Sequence, residues 1–168
     1  ASKASSDYLV RAYYNTYGLP ISITNCSNNY GPLQHNEKLI PTIIDCCLRQ
    51  KNIPVYGDGS NIRDWLYVED HCSGIDRVIR NGKLGESYNI GGNTELTNLE
   101  VIKVICDTLN NLIPLNYNYT DLITFIKDRP GHDWRYAINA EKIKKELDWQ
   151  PKETFSTGIL KTLSEFVR

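Results

Sequence analysis

Ile53-Pro54-Val55-Tyr56-Gly57-Asp58-Gly59-Ser60-Asn61-Ile62-Arg63-Asp64-Trp65-Leu66-Tyr67-Val68-Glu69-Asp70 reads as strand, turn, strand and helix start. The run 53–57 is short and rich in strand formers, and Asp58-Gly59 supplies the turn. A second strand-like run covers 62–68. Glu69 and Asp70 then suit the first turn of a helix, where a carboxylate meets the positive end of the helix dipole. That helix runs to Arg80 and stops at Gly82. Two strands feeding a helix within so few residues point to an α/β protein.

The same alternation extends in both directions. Upstream, Leu39, Ile40, Ile43, Ile44, Cys47 and Leu48 recur at helical spacing, with Pro41 tolerated in the first turn. Before them lie a short strand, Ile21–Thr24, and an Asn-rich loop over 25–32. Residues 2–17 read as a helix broken by Gly18 and Pro20. Downstream, Ser87–Ile90 is a strand, and Thr97-Asn98-Leu99-Glu100 has capping-box spacing for a helix through Leu109. Phe125-Ile126 and Tyr136-Ala137-Ile138 bracket a loop over 128–132. Two C-terminal helices follow, the second with Ile159, Leu160, Leu163, Phe166 and Val167 on one face. Gly57-Asp58-Gly59 and Gly91-Gly92 both lack a third glycine and a following helix. A self-contained dinucleotide-binding unit is therefore not expected within these residues.

Composition narrows the function classes. The 168 residues carry a net charge of −1 with basic residues scattered, which argues against nucleic acid as the main partner. No apolar run approaches the roughly 20 residues that span a bilayer, so no membrane partner is expected. Ala1–Asp7 has no apolar stretch behind its charge, so no export signal is read there. Five cysteines without a C-x-x-C pair suit a reducing cytoplasm, and the Asn118-Tyr119-Thr120 glycosylation triplet then reads as accidental. Three histidines without ligand-like spacing make a metal site unexpected.

Several strings carry candidate chemistry. Arg63 and Arg129 offer planar guanidinium forks that match phosphate oxygens. His132 adds a donor, Asn28, Asn29 and Asn98 supply donors and acceptors, and Tyr56 could flank a base. Each has an ordinary alternative. Asn-rich loops are common turn chemistry, Arg63-Asp64 could be a surface ion pair, and Trp65, Tyr67 and Tyr88 read as core packing. Glu69-Asp70 and Asp7 are not taken as an acid/base pair, since helix capping explains the first two.

The strings come in a telling order: Ala1-Ser2-Lys3-Ala4-Ser5-Ser6-Asp7, Asn28-Asn29-Tyr30-Gly31-Pro32, Lys38-Leu39-Ile40-Pro41, Pro54–Gly59, Arg63–Asp70 and Tyr88–Gly92. Together they resemble the nucleotide-sugar branch of the extended short-chain dehydrogenases. Asp128-Arg129-Pro130-Gly131-His132-Asp133 with Arg135–Ile138 is similar to the dTDP-glucose 4,6-dehydratases in particular. The resemblance implies the last Rossmann elements interleaved with a smaller mixed α/β substrate-binding domain, as one piece over residues 1–168. It also implies a dTDP-sugar substrate, bound NAD, and a homodimer formed through helices that include the one carrying Lys3. The implied reaction is a redox-neutral loss of water that yields a 4-keto-6-deoxy sugar.

By position, the resemblance makes Lys3 the catalytic lysine of a Tyr-x-x-x-Lys pair whose tyrosine precedes Ala1. Lys3 and Asn29 would face the cofactor. Asn28, Lys38, Leu39, Pro54, Val55, Tyr56, Arg63, Asn98, Asp128, Arg129, Pro130, Gly131 and His132 would bind the nucleotide sugar. The glycine-rich loop and the acid/base pair of such enzymes have no counterpart in residues 1–168, so this stretch alone is expected to be inactive. A related UDP-sugar epimerase or decarboxylase, and a non-catalytic nucleotide-sugar-binding module, remain as alternatives.

Overall fold

Helix α1 covers Ser2–Tyr17 and ends where Gly18 takes the left-handed conformation (φ 68°), a geometry glycine adopts without steric cost. The computed structural model describes residues 1–166. After α1 come strand β1 (Ile23–Cys26), strand β2 (Asn28–Tyr30) and helix α2 (Leu39–Leu48). Strands β3 (Ile53–Tyr56) and β4 (Ile62–Tyr67) lead into helix α3 (Val68–Asn81). Strands β5 (Ser87–Ile90) and β6 (Glu95–Thr97) precede helix α4 (Asn98–Leu112). A 3-10 turn over Tyr119–Leu122 opens β7 (Ile123–Ile126), and β8 (Arg135–Tyr136), α5 (Glu141–Leu147) and α6 (Phe155–Phe166) complete the chain.

The strands form three small sheets. β1 pairs with β5 and β3 with β7, both parallel. β4 is the hub of the third sheet, with β2 and β8 parallel to it and β6 antiparallel. A parallel partner must be brought back by a crossover, and α2 and α3 supply those connections.

Two apolar cores hold this together. The larger buries Ile40, Ile43, Ile44 and Cys47 of α2 against Val101, Ile102, Ile105 and Leu109 of α4 and Ile159 and Leu163 of α6. Each such side chain contributes roughly 1.5–3 kcal/mol on burial. The smaller core joins α3, β5 and α5 through Val78, Tyr88, Ile90, Ile143, Leu147 and Trp149. Tyr30, Trp65, Tyr67 and Phe155 stack at the edge of the larger core, with Tyr30 and Phe155 ring centroids 5.0 Å apart.

Most elements lie where periodicity placed them, and the exceptions have physical causes. The first strand sits two residues later than expected. Asn28–Tyr30, expected as loop, is a strand because its backbone pairs with Trp65–Tyr67, a partner far away in sequence. β6 has no strand signal of its own for the same reason, since its three residues become a strand only through Ile62–Asp64. On α6, Leu160 is exposed while Gly158 and Thr162 face the core, so the buried face is rotated from the expected one. Phe166 is likewise on the exposed side, and Val167 lies outside the described residues. The capping box of α4 forms in full, with Thr97 and Glu100 satisfying each other's backbone N–H groups.

Candidate functional site

A cleft of about 400 Å³ opens between the N-terminus of α2, strands β2, β3 and β4, the N-terminus of α4 and the 128–133 loop. Strand geometry selects its floor. Side chains two apart on a strand share a face, so Arg63 and Trp65 of β4 both line the cleft, and Asn28 joins them as the register partner of Trp65. On β3 the same alternation sends Pro54 and Tyr56 to the cleft wall and buries Val55. Val55 therefore corrects the expectation of a third side chain in that wall, since its 2% exposure puts it in the core.

Helix ends close two further sides. Lys38 is the extended N-cap residue of α2, and Lys38, Leu39 and Thr42 face the cleft. No side chain caps this first turn, so the positive end of the helix is open to an anion. Asn98 begins α4, where the capping box already occupies the backbone donors. From the 128–133 loop, Arg129 and His132 reach in.

The electrostatics of the cleft are one-sided. Lys38, Arg63, Arg129 and His132 line it against a single carboxylate, Glu37, which is well exposed. Arg63 is only 9% exposed, and its Nη1 donates to the Ile62 carbonyl at 2.7 Å. Among the described residues no carboxylate pairs with it. A surface ion pair between Arg63 and Asp64 is thus not what forms. Asp64 is buried and turns the other way, accepting from the N–H groups of Gly92 (3.1 Å) and Thr94 (2.8 Å). Asp70 likewise does more than complement a helix dipole: its buried carboxylate accepts the Glu153 N–H at 2.9 Å and ties α6 to α3.

Nine of the expected site residues line this one cleft: Asn28, Lys38, Leu39, Pro54, Tyr56, Arg63, Asn98, Arg129 and His132. Asp128 stands behind His132, its carboxylate 2.8 Å from the imidazole Nδ1. The hydrogen bond from His132 holds the Asp128 carboxyl below the usual carboxylate range. Pro130 and Gly131 form the turn between them. Asn29, next to Asn28 on β2, turns its amide to the Ser27 carbonyl (3.0 Å), and its buried Oδ1 has no donor among the described residues. Lys3 lies apart, exposed on the first turn of α1, a helix with no buried residue. Glu37, Thr42 and Trp65 line the cleft without having been singled out for it. Thr42 was within reach of sequence reasoning, one helical turn beyond Lys38, and so was Trp65, two residues beyond Arg63.

A second hollow of about 360 Å³ lies beside Leu33–Asn36 and the end of α6. Its lining includes one histidine, His35, but no lysine or arginine, which leaves the first cleft as the candidate. Among the described residues no cluster of three or more His, Cys, Asp or Glu side chains could hold a metal ion. Nor is any helix there long and apolar enough to cross a membrane.

The α/β chain thus carries an unbalanced cationic cleft, flanked by a proline and a tyrosine on one strand, a lining whose charge suits an anion. The GDP-mannose 4,6 dehydratase family model matches residues 1–162, and the chain is a member of that family. Among curated relatives, a dTDP-glucose 4,6-dehydratase from Shigella flexneri is 55% identical over 99% of this chain and 46% of its own length. A dTDP-glucose 4,6-dehydratase from Bacillus anthracis, solved in complex with NAD, superposes with TM-score 0.89 at 51% identity, covering 99% of this chain and 50% of that one. DesIV, a dTDP-glucose 4,6-dehydratase from Streptomyces venezuelae with NAD bound, gives 0.90 at 43% identity over 99% and 49%. The chain thus spans about half the length of the relatives it matches.

Proposed function

We propose that residues 1–168 are the substrate-binding part of a dTDP-glucose 4,6-dehydratase, which converts dTDP-glucose to dTDP-4-keto-6-deoxyglucose in the cytoplasm. In this reading they join the last Rossmann elements to a substrate-binding domain. The carrying observation is Arg63, a nearly buried guanidinium lining the cleft that, among the described residues, forms no ion pair with a carboxylate. Such a group costs free energy unless an anion reaches it, and a diphosphate matches its fork.

The residues divide the work. Arg63, Arg129, His132 and the open end of α2 would hold the diphosphate, with Asn28 beside them. Pro54 and Tyr56 would flank the pyrimidine, and Asn98 and Lys38 the ribose side. With the nucleotide anchored this way, the glucose unit is directed out of the cleft toward whatever performs the chemistry. Anchoring converts a diffusional encounter into a positioned one.

NAD, when bound, would supply the hydride acceptor and donor that makes the overall loss of water redox-neutral. The described residues fit only one edge of it. The unpartnered Asn29 Oδ1 can accept from an amide N–H such as that of a carboxamide. No phosphate cradle accompanies it, because Gly57–Gly59 and Gly91-Gly92 lie in strand-to-strand turns rather than before a helix. In this reading Lys3 would lower the pKa of a tyrosine phenol four residues before it, one helical turn away. The exposed Tyr8, Leu9, Tyr13 and Tyr17 make α1 the natural contact for a second copy, in keeping with a homodimer.

Two measurements test the proposal. Calorimetric titration of residues 1–168 should show dTDP binding tighter than thymidine, with UDP weaker. Incubated with dTDP-glucose and NAD, the polypeptide encoded in full should give a product lighter by one water, whereas residues 1–168 alone should give none. A UDP-sugar epimer formed without loss of water would overturn the assignment.

A further inference from the structure

The 128–133 loop contains an Asp–His contact whose two members stand differently to the cleft. His132 lines the cleft with its side chain only 6% exposed, whereas Asp128 is 41% exposed and does not line it. The turn at Pro130-Gly131, with Gly131 at φ +68°, folds the loop back so that residues four apart meet without a helix. Asp128 Oδ1 then receives the backbone N–H of Arg129 at 2.8 Å and the Nδ1 of His132 at 2.8 Å. The Asp128 side chain is itself seated, since it lies against the glycine turn at Gly57.

This arrangement dictates the chemistry of the ring. A carboxylate accepts only, so Nδ1 must carry the proton, and Nε2 is the nitrogen left for the cleft. The ring therefore reaches the cleft that Arg63, Arg129 and Lys38 also line with its Nδ1 edge already committed to Asp128. We infer that Asp128 is a positioning residue for the anion site: it sets the tautomer and orientation of His132 and does not touch the ligand. This rests on the cleft being a nucleotide-diphosphate site, as proposed above, and assigns Asp128 a role distinct from ligand contact.

A double-mutant cycle separates the two roles, because residues acting through one another give non-additive effects while independent contacts add. Asp128→Asn, His132→Gln and the double variant would be compared for dTDP binding by calorimetry, with circular dichroism confirming the fold. Each single change is expected to weaken binding by about 10-fold, the scale of one charge-assisted hydrogen bond. The double variant should then be no weaker than His132→Gln alone. Multiplying losses would overturn the inference in favour of direct contact by Asp128, and Asp128→Asn with unchanged affinity would reduce the pair to a loop strut.

Nitrogen NMR of the ligand-free protein gives an independent readout. Asp128→Asn should shift the His132 Nδ1 resonance and populate the other tautomer, which a purely structural contact would not require. An unchanged Nδ1 signal sinks the inference whatever the binding data show. If the unaltered chain binds no dTDP, the nucleotide reading of the cleft falls, and the ring signal still decides whether Asp128 sets the tautomer.

Discussion

Replacing Arg63 with methionine should weaken diphosphate binding and leave the ligand-free protein no less stable. Arg63 is 9% exposed and, among the described residues, its side chain donates only to the neighbouring Ile62 carbonyl, so most of its N–H donors are free for a ligand. Two charge-assisted hydrogen bonds to a phosphate, each about 1.5 kcal/mol net, would be lost. Their sum of about 3 kcal/mol corresponds to roughly 150-fold in Kd. In the free protein the balance has the opposite sign. A buried cation without a counter-charge is costly, and an apolar chain of similar length recovers about 1 kcal/mol. That would raise Tm by about 2–4 °C in a chain of this size. Calorimetric titration with dTDP and with thymidine, alongside thermal melts, measures both halves; thymidine binding should be unchanged. Wild-type dTDP affinity in Arg63→Met, or a drop in Tm beyond about 5 °C, would make Arg63 a structural strut and refute the reasoning.

Other outcomes follow from particular contacts. Thr97→Ala removes half of the α4 capping box and should cost about 1 kcal/mol in urea unfolding. Glu100 has its pKa lowered by the Thr97 backbone N–H and then by the Thr97 hydroxyl. It therefore stabilises the fold above the ordinary carboxylate pKa, and that contribution disappears as pH falls through the lower folded value. Glu100→Gln should flatten the acid limb of the stability profile. A Cβ at Gly92 would overlap the Trp65 carbonyl oxygen, backbone that cannot yield, so Gly92→Ala should lower stability by about 3 kcal/mol or more and cut soluble yield. Trp65 Nε1 is buried with no acceptor among the described residues, so Trp65→Phe should leave the unfolding free energy within about 1 kcal/mol of wild type despite the lost ring volume.

Local signals account for much of the architecture. Helix α2 was legible because its buried residues recur every three to four positions, and α4 because its caps are adjacent in sequence. Strands β3, β4 and β5 were legible because β-branched and aromatic residues cluster in them beside glycine turns. Strands that exist only through a distant partner were not. Asn28–Tyr30 has loop composition, and pairing with Trp65–Tyr67 makes it a strand. The same long-range pairing brings Asn28 beside Trp65 and Arg63 and so builds the floor of the cleft.

For the binding residues, sequence by itself determined the types and their order along the chain: guanidinium forks, a loop ending in histidine, and a lysine entering a helix. Chemistry is carried by residue type, and type is read directly. Which of them face one another was decided only by tertiary structure. Strand alternation kept Pro54 and Tyr56 in the wall and withdrew Val55 into the core. The fold turned Asp64 away from Arg63 to serve the Gly92 and Thr94 amides, leaving the guanidinium unpaired. That unpaired charge, the strongest argument for an anionic ligand, depends on where the nearest carboxylate points. No sequence spacing encodes it, because the groups that draw Asp64 away lie about thirty residues further along the chain.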